Sequence, residues 1–292
     1  MKATDEEIKK KFISYQKNEI TEYHIYAKLA KSMENQENKK IILRISRDEL
    51  RHYNFLKRYT GVDVAPEKLR IWWYLLITKI LGITFGIKLM ENGEESAQKI
   101  YRQFAEAIPE LSGLMEIARE EDEHENALIR MINEERLEYV GSIVLGLNDA
   151  LVELTGALAG FTFALQNSRL IAAVGLITGI AASLSMAASE YLSTKTESAG
   201  RNPVKAAFYT GFAYIITVLI LILPFLLLPN VFYSLGAAVL SALIIIMSFT
   251  FYISVVRETP FSKRFLEMAA ISLGIAALSF SIGYMVKEFI GI

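Results

Sequence analysis

Two histidines of this chain each follow a glutamate at a spacing of three residues. His52 follows Glu49, and His124 follows Glu121. Three residues turn a helix by about 300°, so each Glu and His pair lies on one helix face. Carboxylates and imidazoles together bind iron and manganese ions. The repeated spacing therefore indicates a metal site that two helices share.

Two further glutamates, Glu19 and Glu94, are each followed at seven residues by a tyrosine, Tyr26 and Tyr101. The order along the chain is Glu and Tyr, then Glu-x-x-His, twice over. Four helices with these faces inward would point four Glu and two His side chains into one core, as in ferritin-like bundles that hold two metal ions. The predicted ligands of two iron or manganese ions are Glu19, Glu49, His52, Glu94, Glu121 and His124, with Glu91 as an additional candidate one turn before Glu94.

The alternative is that these pairs arise by chance, because Glu is common on helices and one Glu-x-x-His match carries little information. Two matches among three histidines, each with an upstream Glu and Tyr pair, favour the metal site. His24 has no Glu three residues before it, and we expect it to be a surface or packing residue. Glu120, Glu123 and Glu125 are expected on a solvated face.

The elements that must position these residues are four helices, predicted over 5–33, 38–59, 83–107 and 109–137. The stretch 69–90 is apolar and contains Trp72 and Trp73. By length it could cross a membrane, but Lys79 in its middle argues against a span. Because the second and third helices of such a bundle need a long crossover, we expect this stretch to pack on the bundle or to rest at a bilayer surface.

The chain changes character near residue 136. Residues 1–135 hold 22 of the 31 Lys and Arg and 24 of the 32 Asp and Glu residues, whereas residues 136–292 are mostly apolar. Five segments there reach the roughly 20 residues that cross a bilayer. These segments are 139–165, 170–192, 205–228, 231–256 and 265–290. The sequence therefore predicts an all-α protein, with a four-helix bundle domain over 1–135 and a five-span membrane domain over 136–292.

Acids within spans are functional candidates, because each costs about 2.5–3.5 kcal/mol on insertion. Asp149 and Glu153 lie one turn apart on the first span, and Met186 and Glu190 lie one turn apart on the second. Carboxylates bind Fe²⁺ or Mn²⁺ and can exchange it for a proton, and a thioether adds a soft ligand that Mg²⁺ and Ca²⁺ do not favour. The alternatives are that Glu190 only caps its span and that Met186 only packs.

Small residues on the first two spans predict close helix contacts, within one chain or between two chains. They are Gly156 with Gly160, and Gly175 with Gly179. Pro224 is expected to kink or end the third span.

Two family resemblances cover nearly the whole chain. Residues 5–135 resemble the ferritin-like domain of the rubrerythrin family, on the six Glu and His positions given above. The chain has no Cys, so it lacks the rubredoxin-type iron centre of typical rubrerythrins. Residues 136–292 resemble the vacuolar iron transporter family, through Gly-Leu-Asn-Asp at 146–149 and Ser-Met-Ala-Ala-Ser-Glu-Tyr at 185–191. The fusion resembles the membrane-bound ferritin proteins of prokaryotes.

The second resemblance implies export of Fe²⁺ or Mn²⁺ from the cytosol in exchange for protons, by a homodimer, with Asp149, Met186 and Glu190 along the path. Plant members carry a Glu-rich insertion between the second and third spans, whereas the linker 193–205 here is short. We therefore expect the ferritin-like domain to collect the metal. The alternatives are a membrane-anchored di-iron oxidase or peroxidase, and a manganese exporter, because Fe²⁺ and Mn²⁺ accept the same ligand types.

The basic residues of the linkers predict the orientation in the membrane. Six lie on the side of the N-terminal domain and two on the other side. The positive-inside rule therefore predicts a cytoplasmic N-terminal domain and an external C-terminus, in the plasma membrane. The N-terminus lacks the apolar core of a signal peptide. The net charge of −1, with no basic stripe, gives no reason to expect nucleic-acid binding.

Overall fold

The computed structural model describes residues 5–107, 111–131, 138–197, 200–257 and 259–290. All regular secondary structure among these residues is helical, so the all-α prediction is confirmed for the described part of the chain. The chain divides into two compact units, Met1–Glu134 and Glu135–Ile292.

The described residues of the first unit form five helices. They are α1 (Asp5–Ser32), α2 (Gln36–Thr60), α3 (Lys68–Leu81), α4 (Ile83–Ala107) and α5 (Gly113–Met131). The bounds of α1, α2 and α4 lie within two residues of the predicted helices. The predicted helix 109–137 begins later, at Gly113, and is described only to Met131, because 108–110 and 132–137 lie outside the described residues.

Asparagine and glycine set the helix ends in this unit. The Asn35 side chain accepts hydrogen bonds from the backbone N–H groups of Glu37 and Asn38, which caps the start of α2. Gly61, at φ +68°, ends α2 in the left-handed region that favours glycine. Gly82 separates α3 from α4, so the stretch 69–90 is divided between two helices. With 14 residues, α3 is too short to cross a bilayer.

The core of the first unit consists of two apolar clusters. One joins side chains from all five helices, among them Ile25, Ile42, Ile71, Met90 and Leu128. The other joins side chains from α1, α2, α4 and α5, among them Phe12, Leu56, Tyr101 and Leu114. The predicted Glu and His ligands of α1, α2 and α5 lie between these clusters in sequence and form a buried polar layer. Close packing on both sides excludes water and fixes the helix register.

The described residues of the second unit form another five helices. They are α6 (Val140–Leu165), α7 (Ser168–Thr196), α8 (Pro203–Leu227), α9 (Val231–Arg257) and α10 (Phe261–Ile290). All five are long and apolar enough to cross a membrane. The five predicted spans are therefore confirmed in length and composition. Pro224 lies inside α8, which continues to Leu227, so the third span does not end at this proline.

Glycines bring these helices close together. A Cβ atom at either Gly156 or Gly160 of α6 would lie 3.1 Å from an atom of Ser279 on α10. Gly175 of α7 lies against Leu158 of α6 and Ile222 of α8, and Gly179 lies against Val218 of α8. Both predicted small-residue patterns therefore make contacts within one chain.

Candidate metal centre and membrane carboxylates

Three helices of the first unit bring five predicted ligands into the polar layer. Glu19 comes from α1, Glu49 and His52 come from α2, and Glu121 and His124 come from α5. Each of these residues is at most 5% exposed. One ligand atom from each of Glu19, Glu49, His52 and Glu121 lies within 4.8 Å of the other three. These residues form a buried group that could hold a metal ion.

Both imidazole rings turn their Nδ1 atoms towards shared carboxylates. His52 Nδ1 lies 2.9 Å from Glu121 Oε1 and 3.6 Å from the Oε2 atoms of both Glu19 and Glu49. His124 Nδ1 lies 3.2 Å from Glu121 Oε2 and 3.3 Å from Glu49 Oε1. The two rings stack with their centroids 5.9 Å apart. Glu49 and Glu121 therefore each approach both histidines.

Two carboxylates that were not predicted as ligands lie within hydrogen-bonding distance of the Nε2 atoms of these histidines. Glu120 Oε2 lies 2.8 Å from His52 Nε2, and Asp48 Oδ2 lies 3.1 Å from His124 Nε2. Arg51 joins the two acids, at 2.7 Å from Glu120 and 2.8 Å from Asp48. The expectation that Glu120 lies on a solvated face is wrong, because its side chain is only 18% exposed and paired. Outer carboxylates of this kind fix the orientation of a ligand imidazole.

The sequence carried a signal for these two acids. Each directly precedes a predicted ligand glutamate, and each holds the histidine of the opposite helix. Adjacent acids at 48–49 and 120–121 were therefore part of one repeated pattern with the histidines. Glu123, in contrast, has a side chain 58% exposed, as expected for a solvated face.

The helix α4 contributes a buried tyrosine to the polar layer. Tyr101 donates its hydroxyl to Glu19 Oε1 at 2.7 Å, while Glu19 Oε2 faces His52. Tyr101 thus orients the Glu19 carboxylate towards the histidines. Glu91 and Glu94 also lie on α4, but their side chains are outside the part of the chain that the structure describes.

Glu22, one turn after Glu19 on α1, is a further buried acid that was not predicted. It is 2% exposed, and Arg70 Nη2 of α3 lies 3.2 Å from its Oε1. Burial and the negative charge of Glu19 raise the pKa of Glu22 well above its ordinary value. His24 is half-buried with its ring against Tyr23, as expected for a packing residue.

Burial and neighbouring charges shift the pKa values of the cluster in opposite directions. Burial raises the pKa of Glu19 to about 8. Burial alone would raise the pKa of Glu49 as well, but the neighbouring His124 and His52 imidazoles outweigh it and lower that pKa. Burial alone would lower the pKa of His124, but Glu121 and Glu49 raise it to about 11. Metal ligands must be deprotonated, so a metal ion would compete with protons for these atoms.

Two buried atoms of the cluster fit a bound cation. Glu19 Oε2 and His52 Nδ1 make no well-formed hydrogen bond among the described residues, although His52 Nδ1 lies 2.9 Å from Glu121 Oε1. A buried polar atom without a partner costs about 1–3 kcal/mol, and coordination of a cation by both atoms would remove that cost. A donor set of carboxylate oxygens and imidazole nitrogens, without thiolates, suits Fe²⁺ or Mn²⁺. The residues of the cluster therefore fit a metal ion.

In the second unit, Glu190 of α7 is buried beside α6. Ser142 Oγ of α6 donates to Glu190 Oε1 at 2.6 Å, and Thr210 Oγ1 of α8 donates to the Ser142 carbonyl oxygen at 3.0 Å. Glu190 lies more than one turn before the end of α7 at Thr196, so it does not cap the helix. Met186, one turn before Glu190, is half-buried and packs against the apolar core.

Asp149 and Glu153 lie further along α6. Asp149 is half-buried and Glu153 is exposed. Tyr214 of α8, which is fully buried, donates its hydroxyl to Glu153 Oε2 at 2.8 Å. Tyr214 was not predicted, because a tyrosine on an apolar span is indistinguishable in sequence from a core residue. At about 1.5 Å per residue, Glu153 lies roughly 16 Å along α6 from Ser142, the partner of Glu190. The predicted path residues therefore form two separate carboxylate positions.

Five helices of membrane-crossing length and composition define a multi-pass membrane protein. Residues 140–201, which include α6 and α7, match the VIT family. This match contains the four predicted path residues and indicates a membrane metal-ion transporter. A comparison with curated proteins finds no match.

Proposed function

We propose that this protein exports Fe²⁺, or alternatively Mn²⁺, from the cytosol in exchange for protons. The observation that carries the proposal is the position of Asp149, Glu153 and Glu190 within two membrane-spanning helices of the segment that matches the VIT family. Each acid within a span costs about 2.5–3.5 kcal/mol on insertion, so three acids on two spans favour a role in ion passage.

Carboxylates suit this exchange because each can bind either a divalent cation or a proton. Tyr214 fixes one oxygen of the exposed Glu153 carboxylate. An exposed carboxylate within a span is costly in lipid, so a water-filled space or a second copy of the chain would cover it. Of these two, the proposal includes a second copy of the chain, that is, a homodimer. Met186 adds a thioether, which favours Fe²⁺ or Mn²⁺ over Mg²⁺ and Ca²⁺.

For the first unit, we propose a ferritin-like domain of the rubrerythrin type that captures the metal for export. Its support is the buried donor set, together with the two buried donor atoms that make no well-formed hydrogen bond among the described residues. Bound iron supplies one-electron redox chemistry, which suits oxidation or sensing of Fe²⁺. The protein itself excludes water from the cluster and fixes both imidazoles. The residues proposed to hold two iron ions are Glu19, Glu49, His52, Glu121 and His124, with Glu94 and Glu91 from the sequence pattern.

We further propose that the protein lies in the plasma membrane, with the first unit in the cytoplasm and the C-terminus outside. The support is the charge of the linkers. Those that follow α7 and α9, with the adjoining helix ends, carry six basic residues, against two on the other side.

Metal uptake into proteoliposomes tests the transport proposal. Fe²⁺ or Mn²⁺ is added outside, and a pH-sensitive dye is enclosed. The full chain is expected to take up the metal with coupled proton movement. Asp149→Asn is expected to abolish both signals, whereas Glu267→Gln, at an exposed acid of α10, should leave them unchanged. No uptake of either ion by the full chain would refute transport.

A second candidate function is a membrane-anchored di-iron oxidase or peroxidase. The observation that favours it is the buried Glu and His cluster, whose described members all come from the first unit. One span would suffice as an anchor, so five spans with internal acids favour transport. Rapid consumption of O₂ or H₂O₂ by the full chain, lost in Glu121→Ala and unaccompanied by metal uptake, would favour the oxidase.

A further inference from the structure

The short helix α3 has an exposed apolar face. Leu69, Trp72, Trp73 and Ile80 are 78%, 57%, 53% and 61% exposed. At 100° per residue, these four positions fall within a sector of roughly 100° on one side of the helix. We refer to these four residues as the α3 face. Exposed apolar patches of this kind mark surfaces that bind a partner.

The opposite side of α3 is fixed to the first unit. Ile71 is 5% exposed and belongs to the apolar cluster that joins the five helices. Arg70 is paired with the buried Glu22. At the start of the helix, the Glu67 backbone N–H donates to Thr21 Oγ1 at 3.0 Å. Since these contacts hold the helix in its orientation, the α3 face cannot turn inward.

One edge of the α3 face is positively charged. The helix contains no acidic residue, and Lys68 and Lys79 are both exposed. They are 11 residues apart, about three turns, so both lie along the same edge of the α3 face. The acid that precedes the helix, Glu67, is paired with Lys17 at 2.5 Å. Lysine stems can cover apolar surface while their ammonium groups reach a polar layer.

We propose that the α3 face binds the surface of an anionic lipid bilayer. Tryptophan concentrates at the boundary between lipid and water, because its ring is apolar and its N–H is polar. The aliphatic side chains would enter the acyl region, while Lys68 and Lys79 would meet lipid phosphates. A bilayer is available to the first unit because the same chain forms a membrane-spanning helix from Val140.

A second copy of the chain is a less favourable occupant of the same face. A helix without any carboxylate offers its twin nothing to pair with the lysines, so an α3 to α3 contact would bring like charges together. The bilayer proposal is independent of metal transport. It requires only that the second unit cross a membrane.

Tryptophan fluorescence of the full-length protein tests this proposal directly. Trp72 and Trp73 are the only two tryptophans in the sequence, so the signal comes from the α3 face alone. The protein is reconstituted into vesicles of phosphatidylcholine and phosphatidylglycerol, with or without bromine on the phosphatidylcholine acyl chains. Because bromine quenches only at close range, emission is expected to fall in the brominated vesicles. Aqueous iodide is expected to quench little.

Charge variants separate lipid binding from simple burial. Lys79→Glu should weaken quenching by the brominated lipid, because it removes a contact to the anionic surface. Lys40→Glu, at an exposed lysine of α2, is the matched control and should leave the quenching unchanged. Helix content by circular dichroism checks that both variants are folded.

Two results would overturn the proposal. Strong iodide quenching without any effect of bromine would mean that the α3 face lies in water. Protection from both quenchers would mean that protein covers the face, with a second copy of the chain as the first candidate.

Discussion

Gly146 lies where the backbone of α8 packs directly against α6. A Cβ atom at this position would meet the carbonyl oxygen of Thr210 first, and it would lie 3.0 Å from the carbonyl carbon of Thr210 and 3.2 Å from its Cα. Carbon atoms prefer a separation of about 3.5–4.0 Å, so Gly146→Ala must move one helix backbone by roughly 0.5–1 Å. Overpacking of this kind typically costs about 1–3 kcal/mol of stability. Gly141→Ala on the same helix is the matched control, because no atom lies within 4 Å of its added Cβ.

The displacement would also disturb the hydrogen bonds that lead to Glu190, a candidate path residue. Thr210 donates to the Ser142 carbonyl oxygen across this contact at 3.0 Å, and Ser142 in turn donates to Glu190. A shift of roughly 1 Å would lengthen the first bond beyond hydrogen-bonding range. We therefore expect Gly146→Ala to lower metal uptake as well as stability. Gly141→Ala should preserve uptake and raise stability by up to about 1 kcal/mol, because alanine favours the helix.

The assay is the fraction of protein that stays monodisperse on size exclusion after heating. Tryptophan fluorescence would not report on the second unit, because both tryptophans lie in α3. The two variants differ by about 1–4 kcal/mol, so at about 2–4 °C per kcal/mol their apparent midpoints should differ by roughly 2–16 °C. Equal midpoints for the two variants would refute the close approach of α6 and α8.

Three further predictions concern single side chains. Asp48→Asn weakens the hydrogen bond that orients His124, so metal affinity measured against a chelating dye should fall about 10–100-fold. Glu123→Gln is the control and should leave the affinity unchanged. Tyr214→Phe removes the hydroxyl that donates to Glu153 of α6, so metal uptake should fall by about fivefold or more. The matched control is Tyr209→Phe, at a tyrosine of α8 whose ring stacks on Tyr139, and equal uptake rates for the two variants would show that the Tyr214 hydroxyl has no role in transport. Asn202→Ala removes the cap of α8 and should cost about 1 kcal/mol of thermal stability, and an unchanged midpoint would show that the cap adds nothing.

The sequence alone determined the features that depend on one helix at a time. The spacings of three residues identified Glu49 with His52, and Glu121 with His124, as pairs on one face. The structure then brought these pairs together with Glu19. Runs of apolar residues likewise predicted five helices of membrane-crossing length. Both signals are local, because helical period and hydrophobic length are properties of a continuous segment.

The tertiary structure alone decided which helix faces which. No spacing within a helix predicts that Tyr101 reaches Glu19, that Glu120 holds His52, or that Tyr214 meets a membrane carboxylate. These contacts join residues that are 61 to 82 positions apart. They depend on how apolar faces and glycine contacts set the distance and register between helices. That register is a property of the packed core, and it therefore appears only when the helices are assembled.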